Sequence, residues 1–294
     1  MESDVVRQQS FEAEGVVEVD VALISGQVRV HLVDEPGVHV EVRHEPSLGE
    51  SWTAGLNTLL GWVNDQFGSN RGQPPGPSEA VRDARLELVG QRLRVRSSDS
   101  PALRAVPLGV VVRAPSGSHV TAKTGGAEIT VTGAAGRLDL KTGTGDISAE
   151  RADSPAQVAS ASGKVRMGPM PGGLRAKTGR GDIEVSSVGG DTVLVTGTGD
   201  VWLGAVHGDV EVRTGSGDVT VADAAAGRIR MGTGSGDVRV GVRPGVSAKV
   251  DLVSSSGSAR SDLEVSHTPP ESEPALVVTG RTAGGDALVT TSTS

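Results

Sequence analysis

The chain has 294 residues, a formal net charge of −8, two Phe, three Trp and no Tyr. So little aromatic mass cannot fill a globular interior of this size, and it implies a thin core of Val, Ile, Leu and Ala. The acidic balance argues against nucleic-acid backbones, which need clustered Lys and Arg, and the lack of Cys excludes a disulfide framework or a thiolate metal site.

The N-terminus, MESDVVRQQSFEAEG, is polar and acidic and lacks the basic start and apolar stretch of a secretion signal. No run reaches the ~18 apolar residues of a membrane span, so cytoplasmic residence is the default expectation. Residues 1–45 alternate apolar and polar positions, with Val17, Val19 and Val21, then Val28, Val30 and Leu32, then Val38, Val40 and Val42. Such alternation predicts half-buried strands, read as the first turns or cap of a larger β body. Residues 46–80 break this pattern. Leu56, Leu59, Leu60, Val63 and Phe67 recur at helical spacing, and Gly68 to Pro77 (GSNRGQPPGP) reads as a linker. This helical insert carries Trp52, Trp62 and Phe67 and is expected to be a cap or a docking element; its Asn, Asp and Gln face disfavours anionic lipid.

Strands resume at Leu86, Leu88, Leu93 and Val95 and lead into the main body, residues 81–262. From Gly109 to Pro244 the chain repeats every nine residues, with one extra residue, Ala226: GDIEVSSVG, GDTVLVTGT, GDVWLGAVH, GDVEVRTGS, GDVTVADAA. The third and fifth residues of each module are apolar and predicted inward, as in Val201 and Leu203 or Val210 and Val212. The fourth points outward, exposing Arg166, Arg175, Glu184, Glu211, Arg230 and Arg239. Thr142, Thr178, Thr196, Thr214 and Thr233 occupy alternate turns, so the physical unit is a two-strand coil of about eighteen residues. The fold class is all-β, a β-solenoid with a short helical insert; about seven regular rungs at ~4.8 Å give roughly 35 Å. Residues 263–294 hold a Pro-rich link and a last pair of strands. Open strand edges at either end would permit self-association or end-to-end polymerisation.

The strongest polar signal is a column of acids on alternate modules, Glu128, Asp146, Asp182, Asp200, Asp218 and Asp237, interrupted by Lys164. Two charges ~4.8 Å apart in water repel by roughly 0.9 kcal/mol, so something must offset the column. Calcium is one answer, because the β-roll repeat GGxGxDxUx also packs two nonapeptides into eighteen residues. Here, however, the acid of TGxGD directly follows the second Gly, and the alternate turns lack the acidic ligand set. Turn chemistry is the expected answer: Asp bonding its own turn's N–H groups, and pairs of Lys123 with Glu128, Lys141 with Asp146, Lys177 with Asp182 and Arg213 with Asp218. Arg180-Gly181-Asp182 is the same turn with Arg in its variable slot. His31 and His39, with Glu41 and His44 nearby, would face each other and could share zinc if their strands formed a hairpin, though no fourth ligand is evident. Trp202 sits at an outward position between Glu184 and Thr220, where it could anchor a partner or a sugar or be covered by a loop. No clustered acid, base and nucleophile is present, so the chain is expected to be non-enzymatic and without a cofactor.

The TGxGD[VI]xV array, preceded by GVVEVDVALISGQVRVHLVDEPGVHVEV, resembles the bacterial putative-adhesin β-strand-repeat family, a domain of unknown function. The resemblance spans most of the chain outside residues 46–80. It implies the repeat fold and carries no catalytic motif; members include accessory proteins linked to cell-envelope stress. Together these readings point to a non-enzymatic scaffold for an as yet unidentified protein partner, with an exported adhesin, a calcium-binding module and a solenoid polymer as alternatives.

Overall fold

The computed structural model describes residues 5–45, 76–264 and 273–292. Its strands form two sheets: sheet A has 13 strands and sheet B has 12. The regular array runs from β8 (His119–Thr124) and β9 (Glu128–Ala135) to β20 (Gly227–Ser235) and β21 (Val238–Val242), even-numbered strands in sheet B and odd-numbered in sheet A. Each strand pairs in parallel with the one a coil later: Leu138 with Ala156, Ala156 with Leu174, Leu174 with Thr192. The step is eighteen residues because every second nonapeptide returns to the same sheet. It lengthens by one at Val210 and Ile229, where the turn before β20 absorbs Ala226.

Burial follows the predicted alternation, and the third and fifth residues of modules such as Val201 and Leu203 are inaccessible to solvent. Each fully buried Val, Ile or Leu contributes roughly 1.5–3 kcal/mol. A further inward position late in the sheet A modules escaped the sequence pattern: the eighth residues Ala152, Met170, Val188, Val206 and Ala224, and after a register shift the seventh residue Val242, are all buried. They fill the corner where the chain turns back toward sheet B, so the core continues around that bend.

Both ends depart from sequential stacking. The coil of β2 (Glu18–Leu23) and β3 (Gly26–Val33) lies between β8–β9 and the later coil of β6 (Arg92–Arg96) and β7 (Leu108–Pro115). Outside it, β4 (Val38–His44) runs antiparallel to β7, β1 (Val6–Phe11) antiparallel to β4, and β5 (Arg85–Val89) antiparallel to β6. Two short helices close this end: α1 (Pro77–Asp83) buries Ala80 and Val81, and α2 (Pro101–Arg104) buries Leu103. The Arg7 guanidinium donates to the carbonyls of Arg82 and Ala84, at 2.8 and 2.5 Å, fastening α1 to β1. Pro77, read above as linker, instead opens α1, where its missing N–H and fixed φ suit the first helical turn. At the other end, β24 (Leu276–Thr282) and β25 (Ala287–Thr291) lie between β20–β21 and the earlier strands β22 (Ala248–Ser254) and β23 (Ala259–Ser261). The predicted helix with Trp52, Trp62 and Phe67 lies outside the described residues. Among those that are described, no helix is long and apolar enough to cross a membrane.

Candidate interaction surface

The TGxGD corner joins sheet B to sheet A. Its Thr faces inward and donates to a glycine carbonyl one coil earlier: Thr196 to Gly181 at 3.1 Å, Thr214 to Gly199 at 3.3 Å and Thr233 to Gly217 at 2.9 Å. The second glycine is required by backbone and by space. Gly199 has φ +140°, and a Cβ there would lie 2.3 Å from the Gly181 oxygen. The Asp then reaches across to the next coil. The N–H of Asp200 donates to Oδ1 of Asp182 (3.1 Å), Asp218 to Asp200 (2.8 Å), Asp237 to Asp218 (2.8 Å), Asp286 to Asp237 (2.9 Å), and Ser258 to Asp286 (2.8 Å). The carboxylates therefore form a ladder with backbone amides, which offsets their mutual repulsion. The expectation that each Asp bonds its own turn is corrected: because the corners stack, its Oδ1 accepts from the N–H at the equivalent position of the following coil. Asp286 belongs to the column too, and its signal, TAGGD at 282–286, was legible in the sequence.

Lys164 breaks the ladder. Its N–H still bonds Oδ1 of Asp146 at 2.8 Å, but its ammonium instead reaches Glu184 at 2.5 Å and Asp182 at 3.8 Å. That hydrogen bond, opposed by partial burial and aided by Arg166, holds the Glu184 carboxyl below the usual carboxylate range. None of the four predicted pairs across the corner forms: Lys141 binds Asp139 at 2.9 Å and Arg213 binds Glu211 along their own strands, Asp182 lies by Lys164, and Lys123 and Lys177 line the outer face of sheet B. Lys141 and Arg213 project from sheet B, whereas Asp146 and Asp218 lead into sheet A, so the corner separates them.

The histidine pairing is also corrected. β7 inserts between β3 and β4, and Arg113 is in register with both His31 and His39. The two imidazoles are thus two strand spacings apart with a guanidinium between them, an arrangement hostile to a cation. His39 Nδ1 contacts Ser10 Oγ and His31 Nδ1 contacts Thr132 Oγ1, each at 2.8 Å. Among the described residues no three His, Asp or Glu side chains converge as a metal site would require.

Trp202 is the large aromatic displayed by the array. It stands on β17 (Val201–Val206), in register with Glu184 on β15 (Ile183–Val188) and Thr220 on β19 (Val219–Ala224), and is 44% exposed. The ring lies along its own strand above Gly204, where a Cβ would come within 3.2 Å of Cη2. Ser186 and Ala222 flank Gly204 on the adjacent strands, so the ring rises from a low surface. On one side Glu184 is neutralised by Lys164 and Arg166; on the other Arg239 is held by Asp237 at 2.5 Å and Asp218 at 3.4 Å. The face offers an apolar anchor within a charge-balanced polar frame, the make-up of a binding hot spot. Sheet B differs: its outer face has a shallow groove of about 630 Å³ around Ala159, lined by Lys123, Lys141 and Lys177.

Parallel coils closed by a hydrogen-bonded corner define a β-solenoid. The chain belongs to the Toastrack DUF4097 family, whose profile matches residues 109–292. Among solved structures it is similar to a putative adhesin of Bacteroides fragilis, at 9% identity over 97% of each chain with a TM-score of 0.46. It is also similar to a putative adhesin of Parabacteroides distasonis, at 10% identity over 97% of this chain and 98% of that one with a TM-score of 0.32. A putative lipid binding protein of the same species matches at 8% identity over 96% of each chain with a TM-score of 0.29. No curated protein matches.

Proposed function

We propose that the chain is a non-catalytic binding module that presents the outer face of sheet A to a protein partner, with Trp202 as the anchor. The observation that carries this reading is a large aromatic left 44% exposed on a rigid sheet whose neighbouring charges are already paired. A flat, pre-ordered face loses little conformational freedom on binding, so one well-placed aromatic contributes disproportionately to affinity. The corner residues, by contrast, are committed to the fold: Thr to carbonyls, Gly to close approach, Asp to amides. The test is affinity capture from the native cell with wild type, Trp202→Ala and, on sheet B, Arg230→Ala. Trp202→Ala is expected to lose specific partners while melting like wild type. Retention of the same partners by Trp202→Ala would sink the reading. The same face would serve an exported adhesin, and fractionation of the native cell decides which compartment supplies the partner.

A further inference from the structure

We propose that two copies of this chain associate head to head through their C-terminal ends, β22 of one pairing antiparallel with β22 of the other about a two-fold axis at Val250. This goes beyond the Trp202 surface and does not depend on it.

The two ends of the solenoid are unlike. The N-terminal end is filled by α1 and α2 and flanked by antiparallel strands. At the C-terminal end the last coil leaves Val246, Ala248, Val250, Leu252 and Leu263 only partly buried, around a cleft of about 1230 Å³. β22 is also the edge of sheet B. The Ser247 carbonyl accepts from Leu276 N–H at 3.2 Å, and Ser255 N–H donates to the Thr282 carbonyl at 3.1 Å. In a parallel ladder alternate residues bond the same neighbour, so odd-numbered residues face β24. The amides and carbonyls of Ala248, Val250 and Leu252 face the open edge, a template for another strand.

The side chains of β22 are self-complementary in one register. With Val250 opposite its own copy, Lys249 falls opposite Asp251 of the second chain and Asp251 opposite Lys249. Inside, Ala248 lies opposite Leu252, small against large. Lys249 and Asp251 are exposed, and neither joins an ion pair among the described residues. Centring the pair on Asp251 would oppose like charges, and centring it on Leu252 would set Asp251 against Val253. Because the contact is isologous, each β22 edge is consumed by its own copy, so the assembly closes as a dimer and not a fibre.

Sedimentation of the full chain over a wide concentration range tests this, with Lys249→Asp, Asp251→Lys, the double exchange Lys249→Asp/Asp251→Lys, and an equimolar mixture of the two single variants. Wild type is expected to dimerise. Each single variant turns two attractive cross-strand pairs repulsive and should raise the dimer dissociation constant about tenfold or more. The double exchange restores opposite charges, and so does the mixture, as a heterodimer. Thermal melting of each variant confirms that the fold is intact. A monomeric wild type, growth beyond a dimer, or single variants that dimerise like wild type would overturn the proposal. So would failure of both the double exchange and the mixture to restore association.

Discussion

Replacing Gly199 by Ala tests the corner most directly, because the structure supplies a control of the same chemistry. At Gly199 φ is +140° and the added Cβ would lie 2.3 Å from the Gly181 oxygen and 2.6 Å from its carbon. Holding a non-glycine residue there costs about 1–3 kcal/mol in backbone strain, and the clash is with backbone that cannot rotate away. The coils must separate locally, weakening the Thr196 to Gly181 bond and the Asp200 to Asp182 bond on either side. The total loss is expected to be about 3 kcal/mol or more. Gly232, on the outer face of β20, has no atom within 4 Å of an added Cβ and no positive φ. Gly232→Ala should therefore be neutral or stabilise by up to about 1 kcal/mol by restricting the unfolded chain. Urea unfolding followed by circular dichroism compares the midpoints. Because stacked repeats can open locally, amide exchange should show protection lost around β16 (Thr192–Thr198) and β17 in Gly199→Ala alone. A loss below about 1 kcal/mol in Gly199→Ala, or equal effects of the two variants, would refute this account of the corner.

Thr196→Val keeps the volume but leaves the Gly181 carbonyl without its hydroxyl donor, and should cost about 1–3 kcal/mol in the same urea assay. Asp200→Ala removes one rung of the ladder and should destabilise by about 1 kcal/mol, whereas a chelator should leave the wild-type melting temperature unchanged; a chelator-induced drop would restore the calcium alternative. The Asp20 carboxyl is pushed up by burial, but hydrogen bonds and charge from Arg96, with Arg92, outweigh that and hold it below its ordinary value. A carboxyl depressed by folding stabilises above its unfolded pKa and loses that contribution as pH falls through the folded value. Wild-type melting should therefore fall below about pH 4, and Asp20→Asn should flatten that acid limb; an unchanged limb would show that Asp20 is not a source of it.

The repeat itself was legible because strand, turn and stacking all act at the same spacing. Val at the third and fifth positions fixes the inward face, Gly the corner and Thr the alternate turns, so the eighteen-residue coil follows without a template. What escaped depended on which coil lies beside which. Nothing near His31 or His39 shows that β7, some seventy residues later, comes between them. The Lys141 to Asp146 pairing looked sound along the chain, yet a corner only four residues long points the two side chains from different sheets. The eighth-position residues were missed because a corner lacks strict alternation: Met170 and Val188 turn inward where the strand bends, not where a period of two would place them.

The exchange of coils at the C-terminal end follows from the ladder. The segment 282–286, TAGGD, has every group the corner needs: Thr282 donates to the Gly236 carbonyl at 2.8 Å, Gly285 fits where a Cβ would lie 2.0 Å from the Gly236 oxygen, and Asp286 N–H bonds Asp237. The earlier segment 254–258, SSSGS, meets only part of the requirement. Ser254 donates to the Gly285 carbonyl at 2.7 Å and Ser258 N–H bonds Asp286, but Ser258 has no carboxylate to extend to another coil. Stacked in chain order, Ser258 would interrupt the ladder beside Asp237, and the Asp286 carboxylate would be left at the end with no amide to accept. Threading the later coil inside preserves every Asp-to-amide bond and places the serine last. It also buries Leu276 and Val278 fully while leaving Val250 and Leu252 half-covered. The carboxylate ladder thus ends at Ser258, while the sheet edge beside it stays open.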